Sequence, residues 1–336
     1  MTGSKNNPDA ISSGGEQVMR GSIGDDVIDA NNGNDTVFGG EGHDLIAGGI
    51  DNDLLYGELG DDMIWGGDGD DILHGGAGND MLDGGRGIDT AVYSGSFSNY
   101  ALTLGPSSIT ITDHRVDGTG TDRLIDIETL RFDDGSLDLA QIGGTAQLSA
   151  PEFESFIELY IAYFNRAPDA IGLNFWGTAF ANGTTLEEMA TLFIDQAETK
   201  SAYPMGASNK AFVETVYDNV LGRLPEQAGL DFWMGELDSG NVSREQFILD
   251  LLRSVEDGTS DRSYLDTKVD LGAYFAVHKG MSDASNAISV MTIFNEAGVE
   301  AAVSAIDGYY AEAQDPTSGE FLVSVVGILD NPFDLV

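Results

Sequence analysis

Eight aspartates stand nine residues apart in an unbroken count, Asp26, Asp35, Asp44, Asp53, Asp62, Asp71, Asp80 and Asp89. Carboxylates are hard, anionic oxygen donors, so a chain that sets them at a fixed period either repels itself or gathers cations. Glycine surrounds them. Gly24, Gly33, Gly42, Gly60, Gly69, Gly78 and Gly87 precede seven of the eight by two residues, and Asp51 takes that place before Asp53. Five and four residues ahead of most aspartates lie Gly39-Gly40, Gly48-Gly49, Gly66-Gly67, Gly75-Gly76, Gly84-Gly85 and the single Gly57. Two residues after each aspartate comes one apolar side chain: Ile28, Val37, Ile46, Leu55, Ile64, Leu73, Leu82 and Ala91.

This phase holds from Gly21 to Val92, over 72 residues that carry 17 acids and one base, Arg86. A short strand with one inward aliphatic, followed by a glycine-rich turn, suits a parallel roll; glycine supplies positive φ and close backbone approach. Stacked at roughly 4.8 Å, the aspartates form columns that only a cation relieves. Six to eight oxygens drawn from carboxylates and backbone carbonyls describe Ca²⁺ better than Mg²⁺, which keeps its waters. An acidic, disordered, glycine-rich linker would not need the regular aliphatic place.

The pattern resembles the RTX (repeats-in-toxin) nonapeptide G-G-x-G-x-D-x-U-x of bacterial type I secreted proteins, a repeat that builds calcium-binding β-helices. The resemblance implies that two nonapeptides make one turn and that units two apart share an ion. One column then pairs Asp26 with Asp44, Asp44 with Asp62 and Asp62 with Asp80; the other pairs Asp35 with Asp53, Asp53 with Asp71 and Asp71 with Asp89. That is six sites with the eight aspartates as ligands, together with backbone carbonyls near the glycines named above. Six ions take the formal charge from −42 to −30. Ser22, Ala30-Asn31, Glu58 and Ile88 depart from the pattern, and the end sites are expected to be the weakest.

The rest of the chain must position or use this array. At 336 residues and 41% apolar content it has room for two or three domains. Acids outnumber bases 57 to 15, which excludes phosphate backbones and anionic membranes as partners. Cysteine is absent, so disulfides and thiolate metal sites are excluded. The first residues lack the apolar core of a Sec signal, and no run of 18 apolar residues suggests a membrane span.

Residues 93–148 alternate as strands in "YALTL", "SITITD" and "TLRF", and read as a β cap or extension of the roll. Their acids, including Asp113, Asp117, Asp122 and Asp126, are expected at turns and on the surface. After Pro151 the period lengthens: Phe153, Phe156, Ile157, Tyr160, Ile161 and Phe164 share one helical stripe. "YFNRAPDAIGLNFW" and "VLGRLPEQAGLDFW" repeat R-x-P-x-x-x-G-L-x-F-W at an offset of 57, each followed by a capping-box signal, Thr185 with Glu188 and Ser243 with Gln246. This duplicated motif resembles a helical domain of unknown function often joined to RTX repeats in S-layer-like and adhesin-like bacterial proteins, distantly similar to phycobilisome linkers. Its Arg166, Trp176, Arg223 and Trp233 have two readings, packing or a ligand platform.

The expected architecture is multidomain: an unstructured start (1–20), an RTX parallel β-roll (21–92), its β cap (93–148), a duplicated all-α domain (149–260) and a further helical region (261–336). The apolar end of that region, closing on Asp334-Leu335-Val336, looks like a type I export signal. No zinc signature or nucleophile elbow accompanies His43, His74, His114 and His278, so no enzyme is expected. His43 and His74 are expected on the surface. The expected function is that of a secreted calcium-binding surface or matrix protein of a Gram-negative bacterium, active in adhesion, surface-layer association or biofilm. A carbohydrate-binding module and a calcium-dependent pore former or effector are the alternatives. The expected partners are calcium, the type I secretion apparatus, and cell-surface polysaccharide or other surface proteins.

Overall fold

The structure, a computed structural model, describes residues 15–204 and 206–333. It divides into two compact units, one of residues up to Gly143 with Glu312–Leu322, the other of Gly144–Ala311 with the residues from Val323 onward. The ending Asp334-Leu335-Val336 and residues 1–14 of the expected unstructured start lie outside the described residues.

In the first unit nine strands follow one another: β1 (Val18–Arg20), β2 (Val27–Asp29), β3 (Thr36–Glu41), β4 (Leu45–Ile50), β5 (Leu54–Leu59), β6 (Met63–Asp68), β7 (Ile72–Ala77), β8 (Met81–Arg86) and β9 (Thr90–Val92). Each pairs in parallel with the strand two places on, so odd strands make one sheet and even strands the other. The register is 18 residues throughout. Val37 lies opposite Leu55 and Leu55 opposite Leu73; Ile28, Ile46, Ile64 and Leu82 align in the facing sheet. All eight expected aliphatics, from Ile28 to Ala91, are buried between the sheets. One such side chain per nonapeptide is a thin core, worth only about 1.5–3 kcal/mol against nine ordered residues.

The turns explain which departures from the repeat are tolerated. The second and fourth places of a unit are left-handed, as at Gly40 (φ 117°) and Gly42 (φ 135°), except at Ser22 in the first unit; Asn31, Glu58 and Asp51 adopt positive φ at the same places. The first place is not left-handed in any unit. Glycine is there for space.

The roll begins earlier than expected. β1 falls inside the stretch read as unstructured, with Met19 opposite Val37 and buried, and Gly15 at φ 128° supplying the turn. Residues 15–20 thus belong to a further unit in phase, with Gln17 in the aspartate place. An aromatic stack runs along the outside of the odd sheet, Phe38 on Tyr56 (4.8 Å) and Tyr56 on His74 (4.3 Å), with the Arg20 guanidinium over Phe38 at 3.9 Å. His74 is half-buried in this stack, and burial pushes its imidazole down to about 4.

After β9 the chain leaves the roll for a hairpin, β10 (Tyr100–Leu104) and β11 (Ile109–Asp113), then returns as β12 (Thr121–Ile125), β13 (Thr129–Phe132) and β14 (Gly135–Asp138). The expected strands are present, and two of them resume the roll. β12 pairs in parallel with β8, Leu124 opposite Leu82, and β13 with β9, Leu130 opposite Ala91. Tyr93, Phe97, Tyr100, Phe132 and Phe321 close the end with ring contacts between 4.4 and 5.9 Å.

The second unit is helical: α1 (Ala150–Phe164), α2 (Ala170–Ala181), α3 (Leu186–Phe193), α4 (Ala197–Ala202), α5 (Asn209–Leu221), α6 (Gln227–Ser239), α7 (Arg244–Arg253), α8 (Ser260–Ala273), α9 (Ala284–Ala297) and α10 (Val299–Ala313). The duplication is visible as α1–α2–α3 repeated in α5–α6–α7. The predicted stripe of α1 is buried, and its start is fixed by a Ser149–Glu152 capping box with Pro151 in the first turn. Thr185 and Glu188 form the expected box at α3. At α7 only half of it forms: Ser243 accepts from the Gln246 amide, while the Gln246 side chain turns to Asp250. The described part of the apolar tail, up to Phe333, holds no closing helix; Leu322–Val325 form a strand, β15.

Candidate metal centre

Each aspartate of the repeat is held by the turn below it. In six of them Oδ1 accepts the backbone N–H of the aspartate 18 residues earlier: Asp26 to Asp44, Asp44 to Asp62 and Asp62 to Asp80 on the even side, Asp35 to Asp53, Asp53 to Asp71 and Asp71 to Asp89 on the odd side, at 2.7–2.9 Å; Asp35 Oδ1 accepts Gln17 N–H. These are the two columns expected from the spacing. A second ladder runs beside them through the residue before each aspartate, where Asp25, Asn34, Asn52, Asp61 and Asp70 accept the next rung's N–H. His43 lies in that ladder, exposed, its Nδ1 accepting from Asp61 N–H at 2.9 Å.

The other carboxylate oxygen is the informative one. Oδ2 of Asp35, Asp44, Asp53, Asp62, Asp71, Asp80 and Asp89 is buried and has no hydrogen-bond partner. A buried, unpaired anionic oxygen is costly unless it is neutralised. Burial accordingly pushes Asp53 and Asp62 up to about 7, and Asp80 and Asp89 to about 6. Asp35, Asp44 and Asp71 rise for the same reason.

These oxygens point into cradles. A Cβ on Gly39 would lie within 3.0 Å of both Asp44 Oδ2 and the Gly57 carbonyl of the next rung. Gly48 faces Asp53 Oδ2 and Gly66 O, Gly57 faces Asp62 Oδ2 and Gly75 O, and Gly66 faces Asp71 Oδ2 and Gly84 O in the same way. With Gly21, which faces Asp26 Oδ2 and Gly39 O, five spaces flanked by a carboxylate and a carbonyl oxygen lie wholly within the repeats, and at four of them the carboxylate oxygen has no other partner. Both oxygens are hard donors within 3.0 Å of one point, near the roughly 2.3–2.6 Å of a Ca²⁺–oxygen bond, which suits Ca²⁺. Among the described residues no three acidic or imidazole side chains converge on a point, so backbone carbonyls are essential to any such site.

The two N-terminal pairs differ. Oδ2 of Asp26 already accepts the Ser22 N–H (2.6 Å) and hydroxyl (3.0 Å). At the Asp35 rung the first place is Ala30, fully buried, whose methyl fills the space that glycine leaves open elsewhere. Both departures were visible in the sequence. Their consequence depends on which glycine of the unit is replaced.

The columns also run past the repeats. Asp122 was expected on the surface, but it is buried and accepts Asp80 N–H at 3.0 Å, taking the aspartate place on β12; burial pushes it up to about 7. Glu128 Oε2 accepts Asp89 N–H at 2.7 Å in the other column. The hairpin makes these steps 42 and 39 residues long instead of 18, which hides them from a fixed-period reading. Asp113 is also buried, but it is paired with Arg115 and held below the usual range by it despite burial.

In the helical unit Arg166 and Arg223 each follow a left-handed helix cap, Asn165 and Gly222. Arg166 bonds Asp169 (3.0 Å) and Glu198 (2.9 Å), and Arg223 grips Asp261 through Nε (2.7 Å) and Nη2 (2.5 Å). Trp176 packs edge-on against Phe193 at 5.0 Å and Trp233 against Phe247 at 4.9 Å. All four residues thus have packing or loop-fixing partners.

Comparison with protein families agrees with this division. Residues 12–46, 20–55, 39–73 and 56–91 match the RTX calcium-binding nonapeptide repeat (4 copies), and residues 146–203 and 190–260 match a domain of unknown function (DUF4214). No curated protein matches the chain. The chain carries calcium-binding RTX repeats in a parallel roll, followed by a DUF4214 domain within an all-helical unit. No helix among the described residues is long and apolar enough to cross a membrane.

Proposed function

We propose that this is a non-enzymatic, secreted calcium-binding protein whose roll folds on Ca²⁺ after type I export and displays the helical unit for adhesion, surface-layer association or biofilm. The observation that carries the proposal is the row of buried Oδ2 atoms that lack a partner and face next-rung carbonyls. Asp44, Asp53, Asp62 and Asp71 would hold ions together with the carbonyls of Gly57, Gly66, Gly75 and Gly84; calcium supplies the positive charge that lets these acids stay ionised inside the stack. Cytosolic Ca²⁺ lies far below the roughly 10⁻⁴ to 10⁻³ M affinities of extracellular modules, so folding would follow export. The packed state of Trp176 and Trp233 favours the surface-assembly reading over a sugar platform built on those rings.

A calcium titration of the full chain, followed by circular dichroism and calorimetry with Mg²⁺ as control, tests the proposal. The expected result is a helical spectrum in chelator and a cooperative gain of β structure with several ions bound, specific to Ca²⁺. A β signal that is complete in chelator, or that Mg²⁺ restores equally, would overturn it.

A further inference from the structure

The calcium reading of the repeats, on which this inference rests, extends to a place the nonapeptides do not reach. Asp89 is the last aspartate of the period, and its side chain is fully buried with Oδ2 unpartnered. No nonapeptide follows it 18 residues on to supply a carbonyl. The returning chain does so instead. A Cβ on Gly84 would lie within 3.0 Å of both Asp89 Oδ2 and the Asp126 carbonyl, the same pairing of oxygens that flanks Gly39, Gly48, Gly57 and Gly66. Asp89 N–H is accepted by Glu128 Oε2, so Glu128 brings its negative charge to the place of the next aspartate. Glu128 and Thr129 in turn donate their amides to Asp89 O at 3.2 and 3.0 Å.

We propose that Asp89, the Asp126 carbonyl and Glu128 form a further divalent-cation site of the calcium class, which fastens β13 to β9 across the inserted hairpin. The other column ends differently: the nearest atoms to a Cβ on Gly75 all belong to Asp80, with no returning carbonyl among them. The two columns are therefore unequal at this end. Both continue as a ladder of hydrogen bonds, to Asp122 in one and to Glu128 in the other, and in the second a carbonyl also faces the last orphaned oxygen.

The test counts ions bound to the full chain by titration calorimetry and by metal analysis after dialysis, and follows amide exchange of Thr129–Phe132 in calcium. Glu128→Gln keeps an acceptor for Asp89 N–H and removes the charge; Gly84→Ala fills the cradle from the roll side and leaves Glu128 intact. Each is expected to lose one ion and to speed exchange in β13 by on the order of tenfold, the lower end of effects seen when groups around a metal are altered. Asp62→Asn, inside the repeats, is the reference. An unchanged count in both terminal variants with one ion lost in Asp62→Asn overturns this site and leaves the repeat reading standing. An unchanged count in all three overturns the repeat reading itself.

Discussion

Gly57→Ala and Ala30→Gly are reciprocal perturbations of one structural place. Gly57 is not left-handed, so alanine is conformationally acceptable there. Its Cβ, however, would lie within 3.0 Å of both Asp62 Oδ2 and Gly75 O. Ca²⁺ sits about 2.3–2.6 Å from its oxygens, so the methyl and the ion compete for the same volume. Overpacking costs about 1–3 kcal/mol with or without calcium. Losing the ion removes a further ~2.7 kcal/mol when free calcium is a hundredfold above its dissociation constant. Ala30→Gly runs the other way. In chelator the glycine costs about 0.5–1 kcal/mol of chain entropy, whereas in calcium the reopened cradle beside Asp35 adds one ion and about 2 kcal/mol net after that cost. Calorimetric ion counts with amide exchange of β3 and β5 provide the assay: one ion fewer in Gly57→Ala, one more in Ala30→Gly, and a change of sign between chelator and calcium for the latter. An Ala30→Gly chain that gains no ion, or a Gly57→Ala chain that loses none, would show that the first glycine of the unit does not gate the site.

The calcium-free roll should depend on pH in the direction set by burial. Asp53 and Asp62 are pushed up to about 7, and Asp80 and Asp89 to about 6, so their ionisation opposes folding. Stability is then greatest near pH 4 and is lost as pH rises through 6 to 7; circular dichroism in chelator should show more β structure at pH 5 than at pH 8, and the reverse order would refute the assignment. The duplicated arginines should differ although their motif is shared. The Arg166 side chain is 6% exposed and that of Arg223 43%, so Arg166→Ala should cost the helical unit about 3–5 kcal/mol and Arg223→Ala at most about 1 kcal/mol, read by urea unfolding in chelator.

Much of the roll was legible because its period is enforced three ways at once. The aspartate, the aliphatic and the left-handed turn recur together, so Asn31, Glu58 and Asp51 could replace glycine without breaking the phase. Two things were hidden. Gln17 lacks the carboxylate that marks a unit, although Gly15 and Met19 stand in phase with Gly33 and Val37 and could have extended the count. Asp122 and Glu128 sit beyond a hairpin that breaks the count, although Gly120, Asp122 and Leu124 keep the G-x-D-x-U spacing and carry the same geometry, Gly120 at φ 97° and Leu124 buried. The helices of the second unit followed from apolar period and caps, whereas the strand at Leu322–Val325 did not, since a short apolar run at a chain end has no period to distinguish helix from strand.

The two units differ in how they keep acids inside, and this decides which of them calcium can control. In the helical unit several acids have basic partners of their own, Arg166 with Asp169 and Glu198, Arg223 with Asp261, and Arg262 with Glu158, although half-buried Asp270 has only acidic neighbours. Among its described residues no carboxylate oxygen is both buried and without a partner. Its hydrophobic core is also broad, with Phe153, Phe156, Tyr163, Phe193, Phe212, Phe247 and Phe275 all nearly inaccessible. In the roll the balance is reversed: one aliphatic per unit, one basic residue across the eight nonapeptides, and seven orphaned oxygens. Burial opposes the ionisation of those oxygens, so protons or ions would stabilise the roll, and at neutral pH protons are scarce. On the proposed reading a change in calcium would act on the roll through its missing charges, whereas the described residues of the helical unit offer no equivalent row of orphaned oxygens.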